Sequence, residues 1–335
     1  MSYHMDEKKY ALHKAVQSRN IRKIKILLSQ TEDINAKDEN GETVLLIASE
    51  HERHDDYDSV MELLLSHEKI DPTVTNQHAC NVLHNLAYKG NITWIKKILE
   101  KFPNMNVDEE KDDLNTPLTL AAKNNQLDVI KYLHSKGADI NHENKKKFTA
   151  LVYAASDGYE ELTKELLELG ADVDHRDGYG FTPLIRAAGW GYTRICEILL
   201  GYHANINTIS NRGQTALTRS IRAGAVETVK LLLENHADPN YVNAYEIDKC
   251  FTPLTSASHL KNVEIMELLI EYGAEVNYPK PSYSLPLSIC IKHGFTRGVE
   301  VLLAAGVHVA DSALRSAQQY GRHDIIELLE SHRKN

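Results

Sequence analysis

Apolar residues along this chain recur in a long-period pattern with two helical stretches per period. The segment NTPLTLAAKNNQLDVIKYLHSKGADIN (115–141) returns as FTALVYAASDGYEELTKELLELGADVD (148–174). It returns again as FTPLIRAAGWGYTRICEILLGYHANIN (181–207) and QTALTRSIRAGAVETVKLLLENHADPN (214–240). Thr116, Thr149, Thr182 and Thr215 mark equivalent positions, each 33 residues after the last. Weaker copies extend the pattern both ways. Asn81, Thr43 and Tyr10 precede, and Thr252 and Leu285 follow, with a shortened last copy at 312–331. A period of this size indicates an array of about ten small units, not a globular core.

Each unit predicts a helix–turn–helix. Proline or alanine after the threonine suits the first helical turn, where a missing N–H costs nothing. Small pairs such as Ala121 and Ala122 let neighbouring helices approach. Gly158, Gly191 and Gly224 end the first helix. The second carries an apolar stripe, as in Val129, Ile130 and Leu133, or Val229, Leu232 and Leu233. Gly137 and Gly170 end it with the positive φ a helix C-terminus favours. One unit cannot bury its apolar face and stacked units can, so the expectation is an all-α repeat solenoid.

The T-[PA]-L…AA…LL…GAD pattern at this period resembles the ankyrin repeat, over about residues 6–332. The resemblance implies stacked helix–turn–helix units with β-hairpin-like tips. It divides the chain into an N-terminal cap (6–35), repeats (36–309) and a C-terminal cap (310–335), with the unit at 312–331 closing the array. The family's histidine after T-P-L, which ties down the hairpin turn, stands here only as His13 and His84. Thr119, Val152, Ile185, Thr218, Thr255 and Ser288 replace it. Insertions at 51–58, near Phe102–Asp108 and at 244–249 interrupt the spacing and predict longer loops. The resemblance also implies that Asn141, Asn207 and Asn277 are hydroxylation candidates in a eukaryotic host.

The chain has 335 residues, 42% hydrophobic and 25% charged, which excludes general disorder. No apolar run reaches a membrane span, and the first residues do not read as a signal peptide. Four scattered cysteines suit a reducing compartment, so a cytoplasmic location is expected. The net charge of −9 argues against a nucleic-acid partner.

The family's concave surface, made of hairpin tips and the exposed side of each first helix, binds other proteins. Alignment of the units projects Phe148, Tyr153, Tyr179, Phe181, Arg186, Trp190, Arg219, Arg222 and Phe251 onto it. Tyr, Trp and Arg are enriched at interface hot spots. The three arginines suit a partner carrying acid groups or phosphate. Packing of Phe148, Phe181 and Phe251 beneath the hairpins is the competing explanation for the phenylalanines.

Catalytic chemistry is not legible. His51, Glu52, His54, Asp55 and Asp56 crowd together but do not form HExxH. The G-x-G at 178–180 lacks a third glycine. Cys196 falls in an apolar stripe and is expected in the core, and Cys80 and His84 fall on different parts of a unit. No metal or cofactor is expected. The sequence points to a monomeric, non-catalytic adaptor or scaffold. Two alternatives stay open: a secreted bacterial effector that binds a host protein, and the substrate-recognition part of an enzyme complex.

Overall fold

The structure, a computed structural model, describes residues 10–50, 55–243, 252–277 and 285–334. Twenty helices lie among the described residues, and no strand does. Insertion residues 51–54 and 244–249, together with Cys250 and Phe251, fall outside them.

Contacts gather the chain into two compact units, Met1–Ala154 with Glu168–Ala171, and Ala155–Leu167 with Asp172–Asn335. Within the first, the helices Ala11–Gln17, Val44–Ser49, Val82–Lys89 and Pro117–Lys123 pack on one another in chain order. Behind them pack their partners, such as Ile92–Lys101 and Leu127–Ser135. Within the second, one layer runs Pro183–Trp190, Ala216–Ala223, Pro253–Leu260, Pro286–Lys292 and Asp311–Gln319. The other runs Thr193–Gly201, Val226–Glu234, Val263–Glu271, Thr296–Ala304 and His323–Lys334.

The core is as periodic as the sequence. Ala121 and Ala122, and Ala187 and Ala188, are buried where first helices meet. Leu133, Leu166, Leu199 and Leu232, 33 residues apart, are fully buried on the second helices. Cys196 is in this core, and burial pushes its thiol up to about 12. Gly191 and Gly224 end their helices in the left-handed conformation at φ 74° and 68°.

Buried threonines start the first helices. Thr182 accepts from the Ile185 N–H. Thr116 and Thr215 form reciprocal capping boxes with Thr119 and Thr218. At 119 and 218, threonine therefore holds the helix start where the family has histidine. His13 keeps the family's role, with Nε2 3.0 Å from the Ala36 carbonyl and 3.1 Å from that of Glu42.

The tips are tight turns closed by one side chain. Asp38, Asn76, Asn144, Asp177 and Ser210 each stand five residues before the helix cap. In each, one oxygen accepts the N–H groups two and four residues on, as Asp177 Oδ1 does from Tyr179 (2.8 Å) and Phe181 (3.0 Å). A second device joins neighbouring repeats. Asn240 Nδ2 donates to the Gly273 carbonyl (2.9 Å), and its Oδ1 accepts from the Glu275 N–H (2.8 Å). Asn35 and Asn277 repeat this arrangement.

Replacing Asn240 with alanine removes both bonds. Asn240→Ala should lower the unfolding free energy by about 1–2 kcal/mol, and Asn240→Asp, which keeps the acceptor, by less. Urea unfolding measures both.

Candidate partner-binding site

The residues projected onto the binding surface fall in both units. In the first, Phe148 and Tyr153 meet edge to face with ring centroids 5.3 Å apart. The Tyr153 hydroxyl accepts from Asn144 Nδ2 at 2.8 Å, and Asn144 also donates to Asn115 Oδ1 at 3.0 Å. Tyr153 is thereby fastened to its own hairpin tip.

In the second unit, Tyr179 and Phe181 flank one tip, with centroids 6.3 Å apart. The Arg186 guanidinium lies 4.8 Å from the Phe181 centroid, and that of Arg219 lies 5.5 Å from it. Phe181 thus carries two cations, an arrangement aromatic rings favour. Arg186 also meets the fully buried carboxylate of Asp177: Nε donates at 2.8 Å, and Nη2 bonds the same oxygen. One side chain therefore closes the tip with Oδ1 and fixes an arginine with Oδ2. Sequence reasoning read this arginine as a contact residue and did not read Asp177. The signal available was the side-chain acceptor at the same place in successive units: Asn144, Asp177, Ser210.

Arg219 differs from Arg186. Its Nε is buried without a hydrogen-bond partner among the described residues. Burial, then Arg222 and Arg186, lower its proton affinity, but a guanidinium remains charged. Gly189 makes its position possible, since a Cβ there would lie 2.7 Å from Arg219 Nη2. Trp190 is 64% exposed, Tyr179 is 54% exposed, and Arg222 lies on the surface. The structure brings Tyr179, Phe181, Arg186 and Arg219 together, while Phe251 lies outside the described residues.

A family profile described as ankyrin repeats (3 copies) matches residues 2–76, 52–144, 136–210 and 202–280. The chain belongs to the ankyrin repeat family. It is 41% identical over 71 residues to alpha-latrotoxin-Lh1a of Latrodectus hasselti, covering 21% of this chain and 5% of the toxin. It is 29% identical over 136 residues to the human transient receptor potential cation channel subfamily A member 1, covering 38% of this chain and 12% of the channel. The chain thus matches only a small part of either relative's length. Ankyrin repeats are in general protein–protein interaction modules and typically non-catalytic.

No helix among the described residues is long and apolar enough to cross a membrane. A hollow of about 450 Å³ in the first unit is lined by Glu50, Cys80, His84, Tyr88 and Lys111, among others. Its chemistry is that of a scaffold. Burial raises the Cys80 thiol, and Lys111 is paired with Asp113 at 2.8 Å. His84 Nδ1 serves the helix cap at Asn81. No group of His, Cys, Asp and Glu among the described residues can hold a metal ion, and His51, Glu52 and His54 lie outside them.

Burial holds the His84 imidazole down at about 4, with backbone groups of Glu109 and Asn115 opposing the shift. The unfolded chain takes up this proton near pH 6.5, while the folded chain resists until about pH 4. Stability should therefore fall as pH drops through this window, by about 3 kcal/mol, and level off below it. His84→Gln should flatten that part of the pH profile in chemical denaturation. The arginines should differ too. Arg186→Ala strands a buried carboxylate and should cost about 3 kcal/mol. Arg222→Ala, at the surface, should change stability by less than about 0.5 kcal/mol.

Proposed function

We propose that the chain, over residues 6–335, is a non-catalytic protein-interaction module acting as adaptor or scaffold. It receives its partner on the tips and first helices of the central repeats. The observation that carries this reading is the exposed Trp190 and Tyr179 beside Arg219 and Arg222. The Asp177 carboxylate fixes Arg186 and the tip backbone at Tyr179 and Phe181, which reduces the ordering cost of binding there. Phe148 and Tyr153, which lie in the first unit, and Phe251 are further candidate contact residues in the same proposal. The reading includes a monomer in the cytoplasm.

Its test is affinity capture of the partner by the parent chain and by a Trp190→Ala/Arg219→Ala/Arg222→Ala variant of equal melting temperature. Arg186 is left intact, because its loss would unfold the tip. A partner held by the parent should be lost by the variant. A partner retained by both would overturn the site.

A further inference from the structure

Charge is sorted between the two helix layers of the second unit. Thr193–Gly201, Val226–Glu234, Val263–Glu271 and Thr296–Ala304 each carry at least one glutamate. Four helices of the opposite layer, Pro183–Trp190, Ala216–Ala223, Pro253–Leu260 and Pro286–Lys292, carry no carboxylate, and the fifth, Asp311–Gln319, carries Asp311, which pairs with Arg333 at 2.6 Å. The basic residues of those four are Arg186, Arg219, Arg222, His259 and Lys292. Lys261 and His293 follow at two of the helix ends.

These groups adjoin one another. Arg222 and His259 stand seven residues after their helix caps, on helices that pack together. The rings of His259 and His293 meet edge to face with centroids 5.1 Å apart. Lys261 Nζ donates to the His293 carbonyl at 3.1 Å, and Arg322 Nη2 to the Lys292 carbonyl at 3.1 Å. Burial, then His259, Lys292, Lys261 and Arg322, hold the His293 imidazole below its usual range. The Asp177 carboxylate engages Arg186 but lies at the far end of this series.

Lys261 adopts φ 57°, left-handed, at the helix end where Gly191 and Gly224 stand in the two preceding repeats. A side chain there is strained relative to glycine, as it also is at Arg19 and Asn125 in other repeats. Apolar surface interrupts the charges. Trp190 and Leu260, each eight residues after a helix cap, are 64% and 48% exposed.

We propose that this first-helix layer, from Trp190 to His293, binds an extended acidic peptide segment of a partner protein, its carboxylates meeting the basic residues and its apolar side chains covering Trp190 and Leu260. The proposal rests on the interaction-module reading and gives it a partner chemistry. Packed helices lie about 10 Å apart, and a chain in the extended polyproline-II conformation has three residues per turn and advances about 3.1 Å per residue. A carboxylate at every third residue therefore faces the same side and keeps step with successive repeats, and a segment of about 12 residues spans four of them. A nucleic acid fits less well, because a polyanion running past this footprint meets a chain of net negative charge.

The test is fluorescence anisotropy of the full chain with a labelled 12-residue peptide bearing Glu at every third position, two Leu and otherwise Ser. The Glu peptide should bind, and rising salt should weaken it. Its Gln counterpart should bind at least about tenfold more weakly. Arg222→Ser/Lys292→Ser should cost about tenfold in affinity at unchanged melting temperature. Lys261→Gly separates folding from binding: it relieves the left-handed strain, so the melting temperature should rise while affinity for the Glu peptide falls. No binding of the Glu peptide, equal binding of the Gln peptide, undiminished affinity in both variants, or tighter binding of a single-stranded oligonucleotide of equal charge would each overturn the proposal. If the peptide fails while a captured partner is still lost on Trp190→Ala/Arg219→Ala/Arg222→Ala, the acidic-peptide inference falls and the module reading stands.

Discussion

No helix pair in this protein can bury its own apolar face, and everything else follows from that constraint. A helix of seven to nine residues with one apolar stripe is marginal by itself. Stability comes from pressing Leu133-type and Leu118-type positions against the next pair. Alanines at the first-helix contacts set how closely the pairs approach. The spacing of the repeats is therefore a packing requirement.

Close stacking obliges the backbone at each tip and helix start to find partners nearby, because these groups lie against buried surface. Threonine side chains satisfy several of the helix starts, and one Asp, Asn or Ser oxygen satisfies two N–H groups at five of the tips. His13 and His84 are two answers to the same need, and the threonine boxes at 116 and 215 are another. The cost appears in acid, where a buried neutral His84 must eventually charge. Asparagines such as Asn240 and Asn277 join one repeat to the next with two hydrogen bonds each.

With interior and turns committed to packing, chemical individuality is left to the outward side of the first helices. There four helices of the second unit, Pro183–Trp190, Ala216–Ala223, Pro253–Leu260 and Pro286–Lys292, gather arginine, lysine and histidine and carry no carboxylate. The glutamates lie on the opposite layer. Asp177 is a consistent exception, since its carboxylate is consumed by the tip turn and Arg186. Some of these cations also join neighbouring repeats, as Lys261 does through the His293 carbonyl.

Much of this was readable in the sequence. The threonine register, the alanine pairs, the glycine helix ends and the place of Cys196 in the core all follow from local periodicity, because each position meets the same neighbours in every repeat. The candidate aromatic and arginine positions were readable for the same reason. Their partners were not. Arg186 and Asp177 are nine residues apart on a helix and a tip, and only the folded turn brings them together. Tyr153 is likewise held by Asn144, and the space for Arg219 depends on Gly189 in the neighbouring repeat. The sequence by itself determined the repeat and its register, since those depend on spacing along one chain. Only the tertiary structure decided which outward residues are tied down and which present their charge, since that depends on distances across turns and between repeats.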